Sequence, residues 1–283
     1  MVQILAYVCF WVCPCAMVTC GCCRSKVKST ITAPEVRWAW FRFLASWCWI
    51  LSIVQVVWLV LVLLWYGGFA EEGADGPDVD ALDAMGAKNA ARILYQDEWW
   101  RLVTAMLCHA GLQHLIGNLL IQLRLGMVLE TLWGPTLWIS IYVLTGAFGT
   151  ICSCVFLPDN LSVGSSGALC GLMGAWVPYI CATWNQTLPK DIKLRNGQLI
   201  LATTSVVLLI PISFMPLTDF AAHMGGLVFG MTLSMAIFAG KLQTRSWRIA
   251  TRAVGVSSSA ALLGVSLWWL LERTAPDKRL LHP

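Results

Sequence analysis

A serine and a histidine lie in two separate apolar stretches of this chain, each long enough to cross a membrane. Ser166 lies in the segment GSSG at 164–167, and His223 lies in AHMGG at 222–226. Polar groups are costly in hydrocarbon, so an ionisable side chain in such a stretch is a candidate functional group. A hydroxyl and an imidazole that meet there would suit a nucleophile and its general base.

Two further polar residues could stabilise an intermediate of acyl transfer. His114 and Asn118 are four residues apart and therefore share one helix face. An imidazole N–H and an amide could supply two donors to a developing oxyanion, with the backbone N–H of Ser166 as a third. The pair could instead only tie two helices together. Zinc bound by His109, His114 and His223 is a weaker alternative, because no HExxH motif accompanies them.

The serine and the histidine can meet only if their helices approach closely, and small residues permit this. Gly167, Gly171 and Gly174 share one face of the first helix, while Gly226 and Gly230 form a GxxxG motif in the second. Such faces let membrane helices pack at short distance. The alternative is that these glycines serve packing alone and that the serine is a helix N-cap.

Composition places most of the chain in a bilayer. Hydrophobic residues make up 58% of the 283 residues and charged residues 12%, against about 25% charged in a typical soluble domain. The mean hydropathy is +0.70. The net charge of +4 is small and scattered, which argues against nucleic-acid binding. Of the twelve cysteines, the six beyond residue 23 lie in or beside apolar stretches, as buried free thiols do.

Stretches of roughly 20 apolar residues predict seven membrane spans. Lys and Arg decide their orientation, and 13 of them fall on one side against 6 on the other, so the N-terminal tail is expected in the cytosol. Ser166 and His223 then lie at similar shallow depth on the outer side. The predicted spans are about 43–66, 103–125, 134–156, 167–184, 198–216, 220–239 and 250–271.

The spans and loops divide the chain into three parts. Residues 1–42 form a Cys-rich, basic cytosolic tail, and residues 43–240 form a six-helix core. An acidic outer loop at 67–100 belongs to this core. Residues 241–283 contain a basic loop, a seventh membrane helix and a short tail.

The first 23 residues are apolar but hold six cysteines. Cys20, Cys22 and Cys23 precede basic residues, a setting that suits S-palmitoylation and anionic lipid. We therefore favour a lipid-anchored interfacial segment. An eighth span and a cysteine metal cluster are the alternatives.

Taken in order, these residues resemble a known family of membrane proteins. The pattern comprises WR at 100–101, His109, HLIGN at 114–118, GSSG at 164–167 and AHMGGLVFG at 222–230. It is similar to the rhomboid intramembrane serine proteases. The resemblance implies an all-α polytopic fold with a six-helix rhomboid core. The additional C-terminal span resembles the six-plus-one arrangement of eukaryotic secretase-type rhomboids.

The resemblance also implies a role for each matching residue. Ser166 would be the nucleophile and His223 the general base of a dyad. His114, Asn118 and the Ser166 backbone N–H would form the oxyanion hole, with Gly164 shaping the loop. No metal or other cofactor is implied. The residues that would support this site are Gly164, Gly167, His109, Trp100, Arg101, Glu130, Gly226 and Gly230, where Trp100 and Arg101 mark the first loop and Glu130 matches a loop-supporting carboxylate.

Two positions depart from the family pattern. Many members carry an aromatic residue four positions after the nucleophile, where it stacks on the base, and this chain has Cys170 there. Ser165 stands where alanine is frequent. Neither change removes a reacting group, but loss of the aromatic ring leaves open how His223 is oriented.

The expected function is therefore cleavage of single-pass membrane proteins in or near their transmembrane segments. The expected partners are these substrates and membrane lipid, and not nucleic acid. The active site would face the lumen or the exterior, in the secretory pathway or at the plasma membrane. A rhomboid-like protein that binds membrane clients without cutting them is the main alternative. A transporter or channel is weaker, because the polar residues cluster toward one side.

Overall fold

A computed structural model describes residues 46–65, 76–186, 188, 191–215 and 218–281. The N-terminal cysteines and the basic tail therefore lie outside the described residues, as does the beginning of the acidic loop. Regular structure in the described ranges is helical, apart from one isolated antiparallel bridge between Lys88 and Ser162.

The described part of the chain begins with one long apolar helix, which is followed by a loop that contains three short helices. The first helix, α1, spans Trp47–Trp65. Residues 76–111, called the first loop below, contain α2 (Val79–Ala84), α3 (Ala90–Tyr95) and α4 (Arg101–Thr104).

Six further long helices follow the first loop. Within the described residues, these and α1 make seven helices that are long and apolar enough to cross a membrane. Each corresponds to one predicted span, and the all-α polytopic fold is confirmed. The six are α5 (Leu112–Trp133), α6 (Pro135–Phe156), α7 (Ser166–Thr183), α8 (Ile192–Ser213), α9 (Phe220–Phe238) and α10 (Arg245–Glu272).

The predicted start of the second span was wrong. We expected a span at 103–125, whereas α5 begins at Leu112 and continues to Trp133. Residues 105–111 are apolar but belong to the first loop, where Ala105 and Met106 are buried against the helices. Hydropathy does not distinguish an apolar loop buried in protein from a helix buried in lipid.

A buried polar cluster joins α1, α5 and α6. The backbone of α5 widens into a π-helical turn at Gln122–Gly126, and the Gln122 side chain is fully buried. Gln122 Nε2 donates to Ser52 Oγ at 2.9 Å, and the Tyr142 hydroxyl donates to Gln122 Oε1 at 3.0 Å. Because unpaired polar groups are costly in hydrocarbon, these bonds fix how the three helices pack.

The helices α7 and α9 approach backbone to backbone. A Cβ atom added to Gly226 would lie 2.1 Å from the carbonyl oxygen of Gly167, and one added to Gly230 would lie 2.1 Å from that of Gly171. Both distances are far below van der Waals contact, so only glycine fits at these positions. The close approach inferred from the two glycine faces is confirmed.

Glu130 lies elsewhere than the family resemblance implied. We expected its carboxylate to support the first loop, but it lies near the end of α5, on the opposite side of the bundle. There it accepts hydrogen bonds from the backbone N–H groups of Trp47 (2.9 Å) and Cys48 (3.0 Å). The first N–H groups of a helix lack intrahelical partners. Glu130 therefore caps α1, and sequence spacing gave no indication of this long-range contact.

Replacing Glu130 by alanine should destabilise the fold by about 0.5–2 kcal/mol, the range found for a lost helix cap. The measurement is the free energy of unfolding in detergent. Glu272→Ala, at the exposed end of α10, is the matched control and should change stability little. Equal stability of the two variants would contradict the capping role.

Candidate active site

Ser166 and His223 are brought together by the packing of α7 and α9. Ser166 is the first residue of α7, and His223 lies in the first turn of α9. Ser166 Oγ and His223 Nε2 are 2.7 Å apart, a hydrogen-bond distance. His223 as a whole residue is 7% exposed. A serine hydroxyl thus meets an imidazole nitrogen in a largely buried setting.

The second ring nitrogen of His223 contacts a residue that the sequence analysis did not select. His223 Nδ1 lies 2.9 Å from Oγ of Ser213, the last residue of α8. Cys170 stands where many members of the resembled family carry an aromatic residue. It is buried with Met173 and Leu227 in an apolar cluster. The hydrogen-bond partner of Nδ1 is therefore a hydroxyl from a third helix.

Asp219 anchors the start of α9 and was also missed. Its Oδ1 accepts the Ala222 N–H at 2.8 Å, which caps the helix, and its Oδ2 accepts the hydroxyl groups of Ser153 and Ser162. These bonds hold the first turn of α9 against α6 and against the segment that precedes α7. An aspartate three residues before a helical N–H is a recognisable cap pattern, so the sequence carried this indication.

His114 and Asn118 lie beside the turn that precedes Ser166. Gly164 has a φ of +117°, which favours glycine. A Cβ atom added there would lie 2.7 Å from His114 Cε1 and 3.7 Å from Asn118 Nδ2. Asn118 Nδ2 donates to the backbone carbonyl of His114 at 3.0 Å. The two side chains therefore lie against Gly164, two residues before Ser166. Because Ser166 is the first residue of α7, its backbone N–H has no intrahelical acceptor.

His109 lies in the first loop, although the predicted span 103–125 included it. Its ring is fully buried and meets the His114 ring edge-on, with centroids 5.3 Å apart. Burial, aided by the neighbouring His114, lowers the pKa of His109 to about 4, so its ring is neutral at pH 7. Since the Leu107 carbonyl can only accept, Nδ1 carries the proton in their 3.2 Å contact.

The zinc alternative finds no support in the arrangement of these histidines. Within the part of the chain that the structure describes, no group of three or more His, Cys, Asp or Glu side chains could hold a metal ion.

Arg101 organises the first loop. It is 2% exposed, and its guanidinium donates to the backbone carbonyl (2.7 Å) and the carboxylate (3.1 Å) of Asp83 and pairs with Glu98. Arg101 therefore pairs with two loop carboxylates and not with Glu130. Trp100 is about half exposed, with its ring 4.8 Å from the Arg101 guanidinium carbon.

Lys88 ties the first loop to the segment before Ser166. Its side chain is buried, and Nζ donates to the backbone carbonyls of Leu157 and Asn160 (2.8 Å). Its backbone exchanges both hydrogen bonds of the bridge with Ser162. Burial lowers the pKa of Lys88. Lys88 therefore holds the segment before Ser166 against the first loop.

A small cavity adjoins Ser166. Its volume is about 20 Å³, which is room for roughly one water molecule. Polar groups of several elements reach it, so a water there would find hydrogen-bond partners. The polar residues that line it are Lys88, Thr150, Ser153, Ser162, Ser166 and Asp219.

The chain is similar to known proteins over the region that holds these residues. A family model described as the Rhomboid domain matches residues 96–240. RHOMBOID-like protein 6, mitochondrial, from Arabidopsis thaliana is 35% identical over 162 residues, which cover 57% of this chain and 51% of that protein. RHOMBOID-like protein 2 from the same plant is 33% identical, with 57% and 50% covered.

A bacterial protein is also similar. Rhomboid protease GluP from Bacillus subtilis (strain 168) is 32% identical over 167 residues, which cover 56% of this chain and 30% of that protein. The chain thus spans about half the length of the plant relatives that it matches. With seven apolar helices among its described residues and with the matched domain, the chain is an integral multi-pass membrane protein that belongs to the rhomboid family.

Proposed function

We propose that this chain is an intramembrane serine endopeptidase that cleaves single-pass membrane proteins in or near their transmembrane segments. The observation that carries the proposal is the 2.7 Å contact between Ser166 Oγ and His223 Nε2. Rhomboid membership supports intramembrane protease function in general, and the similar Bacillus protein is named a protease.

The chemistry proceeds through an acyl-enzyme. Ser166 Oγ attacks the carbonyl carbon of the scissile peptide while its proton passes to His223 Nε2. The tetrahedral intermediate collapses as the C–N bond breaks, and Nε2 gives its proton to the leaving amine. A water molecule then attacks the ester carbonyl and yields a proton to Nε2. The ester C–O bond breaks, and that proton returns to Ser166.

The oxyanion that forms in both steps is assigned to three donors. They are the His114 imidazole, the Asn118 side-chain amide and the backbone N–H of Ser166. The packing of the Gly164 turn against both side chains supports this assignment. The position of Ser166 at the N-terminus of α7 adds the positive end of the helix dipole.

Replacing Asn118 by alanine should lower kcat about 100-fold and leave measurable cleavage, because two of the three donors remain. The measurement is turnover of a cleavable membrane substrate in detergent. Asn196→Ala, at an exposed position in α8, is the matched control and should retain wild-type turnover. An Asn118→Ala variant as fast as this control would remove Asn118 from the oxyanion hole.

The proposal also includes the side of the membrane that the active site faces and the kind of substrate that it prefers. Ser166 and His223 both open their helices at the end of the bundle that carries the first loop. With the N-terminal tail in the cytosol, this end faces the lumen or exterior of the secretory pathway or plasma membrane. A substrate helix must unwind to expose its carbonyl, so weak helix formers near that leaflet should be preferred.

The test is cleavage of a panel of single-pass membrane proteins by the wild type and by Ser166→Ala, both purified in detergent. We expect fragments that end in or near the membrane segment with the wild type alone. A chain that binds clients without cutting them would give binding and no fragments, and that result would overturn the proposal.

A further inference from the structure

Ser213 contacts the dyad from a third helix, at the ring nitrogen of His223 that does not face Ser166. Ser213 is fully buried, although α8 as a whole is mostly exposed at the surface of the bundle. Among the described side chains of α8, only Ala202 and Ser213 are buried. The end of α8 therefore places one hydroxyl against the histidine.

The hydrogen bonds of Ser213 define which way its hydroxyl points. Its Oγ lies 2.8 Å from the backbone carbonyl of Leu209 and 2.9 Å from His223 Nδ1. Because the Leu209 carbonyl can only accept, both contacts are hydrogen bonds at the same time only when the single hydroxyl hydrogen of Ser213 goes to Leu209. A lone pair of Oγ then remains for His223, and Nδ1 must supply the hydrogen of that bond.

A proton on Nδ1 leaves Nε2 of the neutral ring without one. Nε2 is the nitrogen that lies 2.7 Å from Ser166 Oγ, so Ser166 donates to it. The opposite tautomer would put a proton on Nε2 and leave Ser166 without a base. In the Ser-His-Asp triad an aspartate holds the imidazole in the productive tautomer, and here a buried hydroxyl occupies the corresponding place.

We propose that Ser213 is a positioning residue that holds His223 in the Nδ1-protonated tautomer and orients its ring toward Ser166. The inference rests on the proposed protease function and goes beyond it, because it adds a residue from a third helix to the dyad. Cys170 has no ring that could stack on the imidazole. The end of α8 is itself held, since the Thr218 hydroxyl donates to the Ser213 carbonyl at 2.7 Å.

The activity test compares variants of Ser213 in the full-length protein. Ser213→Ala should lower kcat about tenfold to a hundredfold and leave KM unchanged, a smaller loss than the roughly 10²–10⁴-fold contribution of general acid–base catalysis, because His223 itself remains. In Ser213→Thr the hydroxyl is kept, and a threonine in a helix can also donate to the carbonyl four residues earlier, here that of Leu209. This variant should therefore have most of the wild-type turnover. Ser205→Ala is the matched control, because Ser205 bonds the Leu201 carbonyl in the same helix but contacts no histidine.

A spectroscopic test reads the tautomer directly and does not depend on activity. The chain has four histidines, so ¹⁵N-histidine labelling gives few signals, and His223→Ala identifies the one in question. We expect a protonated Nδ1 and an unprotonated Nε2 in the wild type near neutral pH. In Ser213→Ala, signal should shift toward the opposite tautomer or an average of the two.

Several results would overturn the inference. These are an unprotonated Nδ1 in the wild type, a Ser213→Ala variant with wild-type kcat, or equal losses in Ser213→Ala and Ser213→Thr. Failure of the proposed function looks different. In that case the wild type itself does not cleave, whereas an error confined to Ser213 leaves an active wild type and an inactive Ser166→Ala.

Discussion

Replacing Ser166 or His223 by alanine should lower peptide-bond cleavage by at least about 10⁴-fold, as loss of a nucleophile or its base does in serine proteases. Each variant removes one partner of the 2.7 Å contact. Without Ser166 no acyl-enzyme forms, and without His223 the hydroxyl keeps its proton. The measurement is cleavage of a membrane substrate by the purified variants in detergent.

The same experiment needs a control for folding and for serine loss in general. Ser140→Ala changes an exposed hydroxyl of α6 that bonds only the Thr136 carbonyl, and it should cleave like the wild type. All variants should unfold near the wild-type temperature. Cleavage by Ser166→Ala at a rate comparable to the Ser140→Ala control would show that another group is the nucleophile.

Replacing Gly230 by alanine should lower cleavage about 100-fold, the effect of moving reacting groups by roughly 1 Å. The added Cβ would lie 2.1 Å from the carbonyl oxygen of Gly171, so α7 and α9 must separate. Ser166 and His223 lie on these two helices, and their contact widens with them. We also expect the free energy of unfolding to fall by about 1–3 kcal/mol, as for other overpacked cores.

Gly264→Ala is the matched control for this substitution. Gly264 lies in the long helix α10, and a Cβ atom added there would meet nothing within 4 Å. Both variants add one methyl group to a membrane helix, but only Gly230→Ala should lose activity. Equal activity in the two would contradict the view that close helix packing sets the geometry of the dyad.

The contact between Ser166 and His223 was predictable because its determinants are local in sequence. Ser166 and His223 each open an apolar helix beside small residues, and the glycine faces indicate close approach. Their pairing then follows from two features that a single sequence contains, span depth and a small packing face.

Other parts of the site depend on contacts that sequence patterns do not encode. Ser213 ends a helix whose apolar residues are not confined to one face, so the pattern does not show which face turns inward. Glu130 caps a helix 82 residues away in the chain, and spacing alone suggested a different partner. The end of the first loop is apolar because it is buried in the protein. For this reason the second span was predicted to begin at 103, whereas the helix begins at Leu112.

Covalent labelling with a fluorophosphonate tests the central claim most directly, because this probe reacts with serine hydroxyls that a base has activated. Mass spectrometry of the purified protein should find a single adduct on Ser166, and His223→Ala should lose it. An adduct on another residue, or an unlabelled protein that still cleaves its substrate, would contradict Ser166 as the nucleophile and His223 as its base.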